Sequence, residues 1–348
     1  MLKKIVIILF LCIVSAYSLK YVLAEPAQDN KSGNTDPNTP AAVDSNNPKE
    51  TESAPNNSDK DVSSDKPANS DPNEPNINVE SEEQDDMTLP GQSPLPELYK
   101  ACELIFGQYV NDNGEVNYSI LRRKRSDLNN ALNFLEKVHP VQILAMNDEE
   151  KQAFWINTYN LCTLKLIIDN YPIQPKWYMI LYPNNSIMQI SDPWTKNYFT
   201  IQGLQYPLQE MERELLLERY KDPRICFALC NATRGGAVLR KEPYRAETLQ
   251  DQLDDQVKNF LASSQGLTIE KGTNTVYISN LFNIYRDVFL KSKYAEIKKF
   301  RQRKPDEKAW LNFILFYVND ADKQFFESNE VNLKFKKFEW ELNETISP

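Results

Sequence analysis

The sequence predicts an α+β fold for residues 93–348, a helix-rich single domain with a small sheet. Three observations lead there. Apolar residues recur at helical spacing in several long stretches. Between them lie short β-branched or alternating runs with no regular strand–helix repeat, which argues for α+β. Residues 25–92 contain no Phe, Trp or Tyr but nine prolines, so the core must come from the chain after them. About 250 residues suffice for one large domain.

Residues 1–24 read as a secretory signal peptide. Lys3 and Lys4 give a positive start and Val22, Leu23 and Ala24 a cleavage site before Glu25. Residues 5–17 form an apolar stretch of about 13 residues, within the usual range. A membrane span needs about 20 apolar residues, and Lys20 interrupts this run too early. An uncleaved anchor is the competing reading. Cys12 does not read as a lipid-attachment cysteine, because Leu11 before it is too large. The expected location is secreted or periplasmic, with no transmembrane segment after signal removal.

Residues 25–92 carry 16 acidic and 4 basic side chains, among many Asn, Ser and Pro. Such a segment cannot bury enough apolar surface to offset chain entropy, so it is expected to be a disordered, solvated tether. The cluster Glu80, Glu82, Glu83, Asp85 and Asp86 suggests cation capture but lacks the glycine and ordered spacing of a calcium loop. With this acidic charge set apart, residues 93–348 have a net charge of zero. The folded region therefore shows no bias toward nucleic acid.

Helical spacing runs through residues 94–110, followed by the turn Asn111, Asp112, Asn113, Gly114. Residues 116–118 are a strand candidate. Residues 120–138 return to helical spacing, and His139 before Pro140 ends them. Asn147 or Asp148 is placed to cap a helix that runs to about Asn170 and is apolar enough to be buried on most sides. Residues 171–203 form a long, aromatic-rich connection, usually functional or packed by its own side chains. Residues 209–220 are helical, and residues 224–230 read as a buried strand. Residues 247–262 are helical, residues 275–278 strand-like, and Ser279 is placed to cap the helix after them. Asp306 is placed to cap a helix through Val318, and residues 333–342 alternate as a strand.

The chain has a single histidine, His139. Imidazole-dependent nucleophilic catalysis needs that ring beside the nucleophile, and His139 sits in a helix connection, where it reads as an exposed or capping residue. Cys102, Cys162, Cys226 and Cys230 remain after signal removal, with no C-x-x-C pair. No P-loop, dinucleotide fingerprint or nucleophile elbow is present. No cofactor or metal is expected, and the sequence names no partner beyond an envelope or protein surface.

The most informative stretch is residues 222–239, DPRICFALCNATRGGAVL. Its Gly235-Gly236 pair is the only one in a chain with nine glycines. A rigid element ending in a glycine-containing polar loop is a common place for a site. The stretch resembles the domain of unknown function 547 family, whose pattern reads D-P-R-I-H-F-A-L-x-C-A-S-x-x-C-P-x-L. Asp222, Pro223, Arg224, Ile225, Phe227, Ala228, Leu229, Ala232 and Leu239 fit it. Residues 153–160 (AFWINTYN), Pro193 and Trp194, then Gly203, Leu208, Glu212 and Leu216, then Leu281, Phe282, Tyr285, Arg286 and Phe289, and residues 338–343 (FEWELN) are similar to further family segments in the same order. The resemblance thus spans about residues 95–345. It implies a thiol or metal site in the family and points toward a papain- or transglutaminase-like fold. At the family's His and two Cys positions this chain has Cys226, Asn231 and Gly236. The expected function is a catalytically degenerate binding or envelope-associated module. The alternatives are a hydrolase or acyl-transfer enzyme with altered chemistry, or a structural cell-surface component.

The candidate site residues are Asn157, Asn160, Glu212, Arg224, Cys226, Cys230, Asn231 and Arg234. Buried amides on the helix of Asn157 and Asn160 must find partners, either anchoring loops or facing the Asn231 loop as a polar pocket. Glu212 is expected to form a buried ion pair with Arg224, the alternative being a catalytic carboxylate. Cys226 and Cys230, four residues apart on a strand, would lie about 13 Å apart on one face. They read as buried small apolar residues, or as reactive thiols near Arg224 and Arg234. Tyr178, Tyr182, Trp194 and Tyr198 would form a stacking platform or pack on themselves.

Overall fold

A 23-residue helix capped at both the sequence and the charge level sets the frame. The computed structural model describes residues 93–345, apart from 197 and 202; the predicted signal peptide (1–24), the acidic tether (25–92) and the Tyr198 side chain lie outside the described residues. The described chain is a helix-rich α+β domain. Five helices come first: α1 (Leu95–Tyr109), α2 (Tyr118–Arg123), α3 (Arg125–Glu136), α4 (Pro140–Ala145) and α5 (Asp148–Asn170). A hairpin of β1 (Tyr198–Ile201) and β2 (Leu204–Pro207) follows. The helical run α6 comprises Leu208–Glu210, a π-helical middle Met211–Leu217, and Glu218–Tyr220. A 3₁₀ turn, Pro223–Phe227, leads through a loop to α7 (Leu249–Ala262). Then come β3 (Thr268–Glu270), β4 (Thr275–Ile278), α8 (Leu281–Ile284), α9 (Arg286–Leu290), α10 (Lys293–Glu296), α11 (Pro305–Ile314), α12 (Asp320–Ser328) and β5 (Asn332–Phe335).

Helix α5 forms where it does because Asn147 and Glu150 close a reciprocal capping box, at 2.8 Å each way, and Asp148, Glu149 and Glu150 face the positive end of its dipole. Sixteen of its residues are buried, from Gln152 to Ile168, so it is covered on nearly every side as its composition predicts. His139 caps α4 through a similar box with Gln142, the capping role expected of it. The second core centre is Phe227, with its ring centroid 5.1 Å from Phe260 and stacked on Phe313 at 5.6 Å.

Two small sheets complete the fold. β1 and β2 pair antiparallel, Tyr198 opposite Pro207. In the other, β4 is central, antiparallel to β3 and parallel to β5, with Thr275 opposite Asn332 and Ile278 opposite Phe335. The parallel pair requires a long crossover, which α8 to α12 supply.

Several predicted elements differ. Residues 224–230 are not a strand: Asp222 accepts from Arg224 N at 2.9 Å and Pro223 occupies the first turn, so the chain enters a 3₁₀ turn. Residues 116–118 are not a strand: Val116 makes only bridges, to Val110 and Glu344, Asn117 caps α2 and Tyr118 begins it. The helix predicted over residues 120–138 is two, broken at Lys124, whose φ/ψ of −104°/39° is not helical. Asn280, not Ser279, holds the cap position of α8; Ser279, one residue earlier, accepts from Leu281 N at 3.3 Å, and the helix is split at Tyr285. Lys304, not Asp306, holds the cap position of α11; Pro305 starts the helix and Asp306 pairs with Arg286 at 2.6 Å. The last strand ends at Phe335, and residues 338–343 run on as an irregular strap.

Candidate functional site

The loop after the 3₁₀ turn is held from two sides. From α5, two asparagines three residues apart each make a reciprocal pair of bonds to a backbone segment. Asn160 Nδ2 donates to Ala228 O (3.1 Å) while its Oδ1 accepts from Cys230 N (2.9 Å). Asn157 Nδ2 donates to Tyr244 O (2.8 Å) while its Oδ1 accepts from Tyr244 N (2.9 Å). Both are almost fully buried. Each side-chain amide thus pairs like a strand neighbour, satisfying backbone groups that an irregular buried segment would otherwise leave bare. They anchor loops to the core.

From the other side comes the C-terminal strap. Arg234 N donates to Glu341 O at 2.8 Å, Gly235 N to Glu339 O at 2.8 Å, and Asn343 N to Ala232 O at 3.2 Å. Asn343 Oδ1 accepts from the buried Tyr118 hydroxyl at 2.6 Å, and its Nδ2 lies 3.4 Å from Cys230 Sγ. Arg234 ties the loop to Glu115 (3.2 Å) and to Glu344 O (2.8 Å).

Within the loop, Asn231 Oδ1 accepts from Thr233 Oγ1 at 2.6 Å and from Thr233 N at 3.3 Å, a side-chain turn of the kind Asn favours. Ala232 has a φ of 59°. A Cβ at position 236 would sit 2.1 Å from Asn231 Oδ1, so only glycine fits there.

Glu212 is 3% exposed on the π-helical stretch. Its Oε2 accepts from Tyr159 OH at 3.2 Å, its Oε1 lies 3.3 Å from Arg213 Nε, and Tyr285 also hydrogen-bonds it. Burial raises its carboxyl pKa above the ordinary value, against the lowering effect of Arg213. The expected Glu212–Arg224 ion pair does not exist. Arg224 instead lies on the surface side of the 3₁₀ turn, forked onto Asp222 (2.7 Å), Asp254 (3.0 Å) and Gln250 (2.6 Å). The carboxylate two residues before it on the same turn captures the guanidinium, and α7 supplies the rest.

The thiols are free and buried. Burial pushes Cys226 well above the usual thiol range, with Glu212, Asp222 and Asp287 adding to the rise and Arg213 opposing it. It pushes Cys230 up to about 11, against hydrogen bonds from Ala232 and Asn343. No cation at these sulfurs overcomes desolvation, so neither thiol has the depressed pKa that a nucleophile needs. Among the described residues no three His, Cys, Asp or Glu side chains cluster as metal ligands would.

The predicted site residues therefore separate. Asn160, Cys230, Asn231 and Arg234 meet at the loop. Glu212 and Cys226 belong to an interior polar cluster with Tyr159 and Arg213. Arg224 and Asn157 serve other contacts. An open cleft of about 890 Å³ runs beside the loop, walled by Thr233, Arg234 and Gly236, the residue 111–115 turn, the C-terminal part of α7 and Asn343. Arg240 pairs with Glu242 and Asp255, Lys241 with Asp112 and Arg234 with Glu115, and with Glu339 the lining carries an acidic excess. Of the eight predicted site residues only Arg234 lines it; Asn157, Asn160, Glu212, Arg224, Cys226, Cys230 and Asn231 do not. Asn343 and Tyr118, which complete the loop's support, were not candidate site residues; the available signal for Asn343 was its place in the family-like segment 338–343.

Residues 143–261 match the family described as "Protein of unknown function, DUF547". The chain carries a DUF547-family domain. The matched span runs from the end of α4 to the end of α7 and holds every candidate site residue. The strap of residues 338–343, which resembles the same family, lies beyond it. No curated protein and no solved structure matches the chain.

Proposed function

We propose that this DUF547 domain is a secreted or periplasmic binding module that does not use thiol chemistry, with the cleft beside residues 231–236 as its ligand seat. One observation carries the reading. At each position where the family pattern has His or Cys, the residue here is committed to packing. Cys226 is sealed in the core, Asn231 is spent on Thr233, and Gly236 has no room for a side chain. The cleft beside residues 233–236 stays open and is walled by amides, backbone and charged side chains with an acidic excess, which suits a ligand rich in hydrogen-bond donors. The acidic tether would let the domain reach such ligands in the cell envelope.

The test is occlusion. Asn113→Trp and Asn259→Trp place bulk on the cleft walls at exposed positions. Soluble envelope glycan and peptide fragments should raise the melting temperature of the wild type and leave both variants unmoved. A screen with no stabilising fragment, or stabilisation that survives occlusion, rejects the cleft as the seat.

A second reading has one observation in its favour. Glu212 is a buried carboxyl with a raised pKa on a π-helical stretch, a setting found at functional sites. It would make the domain a hydrolase or acyl-transfer enzyme with Glu212 as acid, and loss of a found activity in Glu212→Gln without loss of stability would separate it from the binding module.

A further inference from the structure

Among the described residues, the three most exposed large apolar side chains lie in one loop. Trp177 is 87% exposed, Ile180 81%, Leu181 83% and Tyr178 45%, four large side chains within five consecutive positions. Soluble domains scatter such residues singly, and a contiguous group marks an interaction surface. We propose that the loop of residues 176–183 inserts its tip into the interfacial layer of a lipid bilayer, seating the domain on a membrane surface.

Three features favour lipid as the occupant. The first is how the loop's backbone is satisfied. Gln189, 2% exposed, accepts from Lys176 N at 2.8 Å, and its Nε2 lies 3.2, 3.3 and 3.1 Å from the carbonyl oxygens of Met179, Tyr182 and Pro183. Met179 N and Tyr182 N close two successive turns onto Lys176 O and Met179 O, at 3.0 and 3.1 Å. A segment leaving water benefits from internally bonded backbone groups, and here one buried amide binds those of Lys176, Met179, Tyr182 and Pro183 from behind. The side chains are left facing outward.

The second is shape and rigidity. The tip is a convex double turn, not a groove. It is braced by Tyr182, whose ring meets Trp340 edge-on at 5.5 Å. A fluid surface accepts a rigid knob without needing a complementary pocket. The third is chemistry. Trp and Tyr flanking aliphatic side chains are what the headgroup–acyl boundary retains. Residues 170–191 contain no Asp or Glu, in a chain with 26% charged residues, and Lys176 is their one charge. Its ammonium, held 2.6 Å from Ser191 Oγ at the loop's base, is placed for a lipid phosphate, and no carboxylate in the segment repels an anionic leaflet. Among the described residues no helix is long and apolar enough to cross a membrane; the contact is peripheral.

The proposal uses residues distinct from the cleft, so the two readings fail separately. The experiment is flotation of the chain from Glu25 onward with phosphatidylethanolamine–phosphatidylglycerol vesicles and with phosphatidylcholine vesicles. The wild type should float with both, more strongly with the anionic mixture. Ile180→Ser/Leu181→Ser should weaken the partition constant about tenfold or more per side chain with an unchanged thermal melt. Brominated lipid should quench tryptophan emission in the wild type and much less in Trp177→Phe, which still floats. Absence of flotation overturns the proposal, as does flotation indifferent to the double variant. Concentration-dependent dimerisation abolished by that variant, without vesicle binding, would assign the face to a second copy and also overturn it.

Discussion

Asn160 and Cys230 are joined by a single bond that explains much of the candidate site: the Asn160 Oδ1, on the buried helix α5, accepts from the Cys230 backbone N at 2.9 Å. Because the other end of the same amide donates to Ala228 O, the helix fixes the exit of the 3₁₀ turn and hence the start of the loop. The thiol of Cys230 is thus placed through its backbone.

Replacing Asn160 by Ala should therefore strand one buried acceptor and one buried donor. The expected loss is about 2–4 kcal/mol, read as a fall in the urea midpoint at constant slope. Asn160→Asp should cost at least as much, since its second oxygen would face the Ala228 carbonyl. A loss below about 0.5 kcal/mol for Ala would mean that the clamp is not formed.

Gly236→Ala should destabilise by about 1–3 kcal/mol, because the new methyl overlaps Asn231 Oδ1. Removing that oxygen with Asn231→Ala in the same chain should recover part of the cost. A double-mutant cycle measures this as a coupling of about 1 kcal/mol or more. Additive effects would show that the two residues do not meet.

The buried carboxyl of Glu212 predicts a pH dependence. Its folded pKa is raised above the ordinary 4.5, so the folded state favours the protonated form. That contribution to stability is complete below 4.5 and is lost as pH rises through the raised folded value. Denaturation of the wild type and Glu212→Gln from about pH 4 to pH 8 isolates the group. The wild type should lose ground against the variant as pH increases, and parallel curves would contradict the shift.

Alkylation of the native chain from Glu25 onward at neutral pH should leave all four cysteines unmodified, and unfolding in denaturant should expose all four. With its pKa pushed up to about 11, Cys230 is thiolate in only about one molecule in ten thousand at pH 7. Fast labelling of Cys226 or Cys230 in the native state would revive thiol chemistry.

Local rules made some of this legible. The capping box at Asn147, the apolar density of α5, the His139 cap and the strand at residues 275–278 all follow from residues within a few positions of each other. The 3₁₀ turn misread as a strand had its own signal: an Asp followed by Pro is a helix-start pair, and a short run that is apolar throughout has no period to distinguish strand from helix. The partner of Arg224 was not legible. Asp222 lies two residues away on the same turn, but its 3₁₀ geometry reads as a strand in the sequence, and the share of Asp254 and Gln250 depends on how α7 packs. The roles of Asn157 and Asn160 needed the same information, since their partners are backbone atoms far along the chain. The exposed tip at residues 177–181 read as an aromatic loop, but only the fold shows which side chains Gln189 leaves outside.

The strap of residues 338–343 has a consequence in time. The loop at residues 232–235 takes its bonds from Glu339, Glu341 and Asn343, which are made long after the loop itself. A growing chain therefore carries the cleft's backbone with its far edge missing until that strap has emerged. The loop's bonds to the strap therefore form only once synthesis of the domain is nearly done, and until then Arg234 N, Gly235 N and Ala232 O lack their partners.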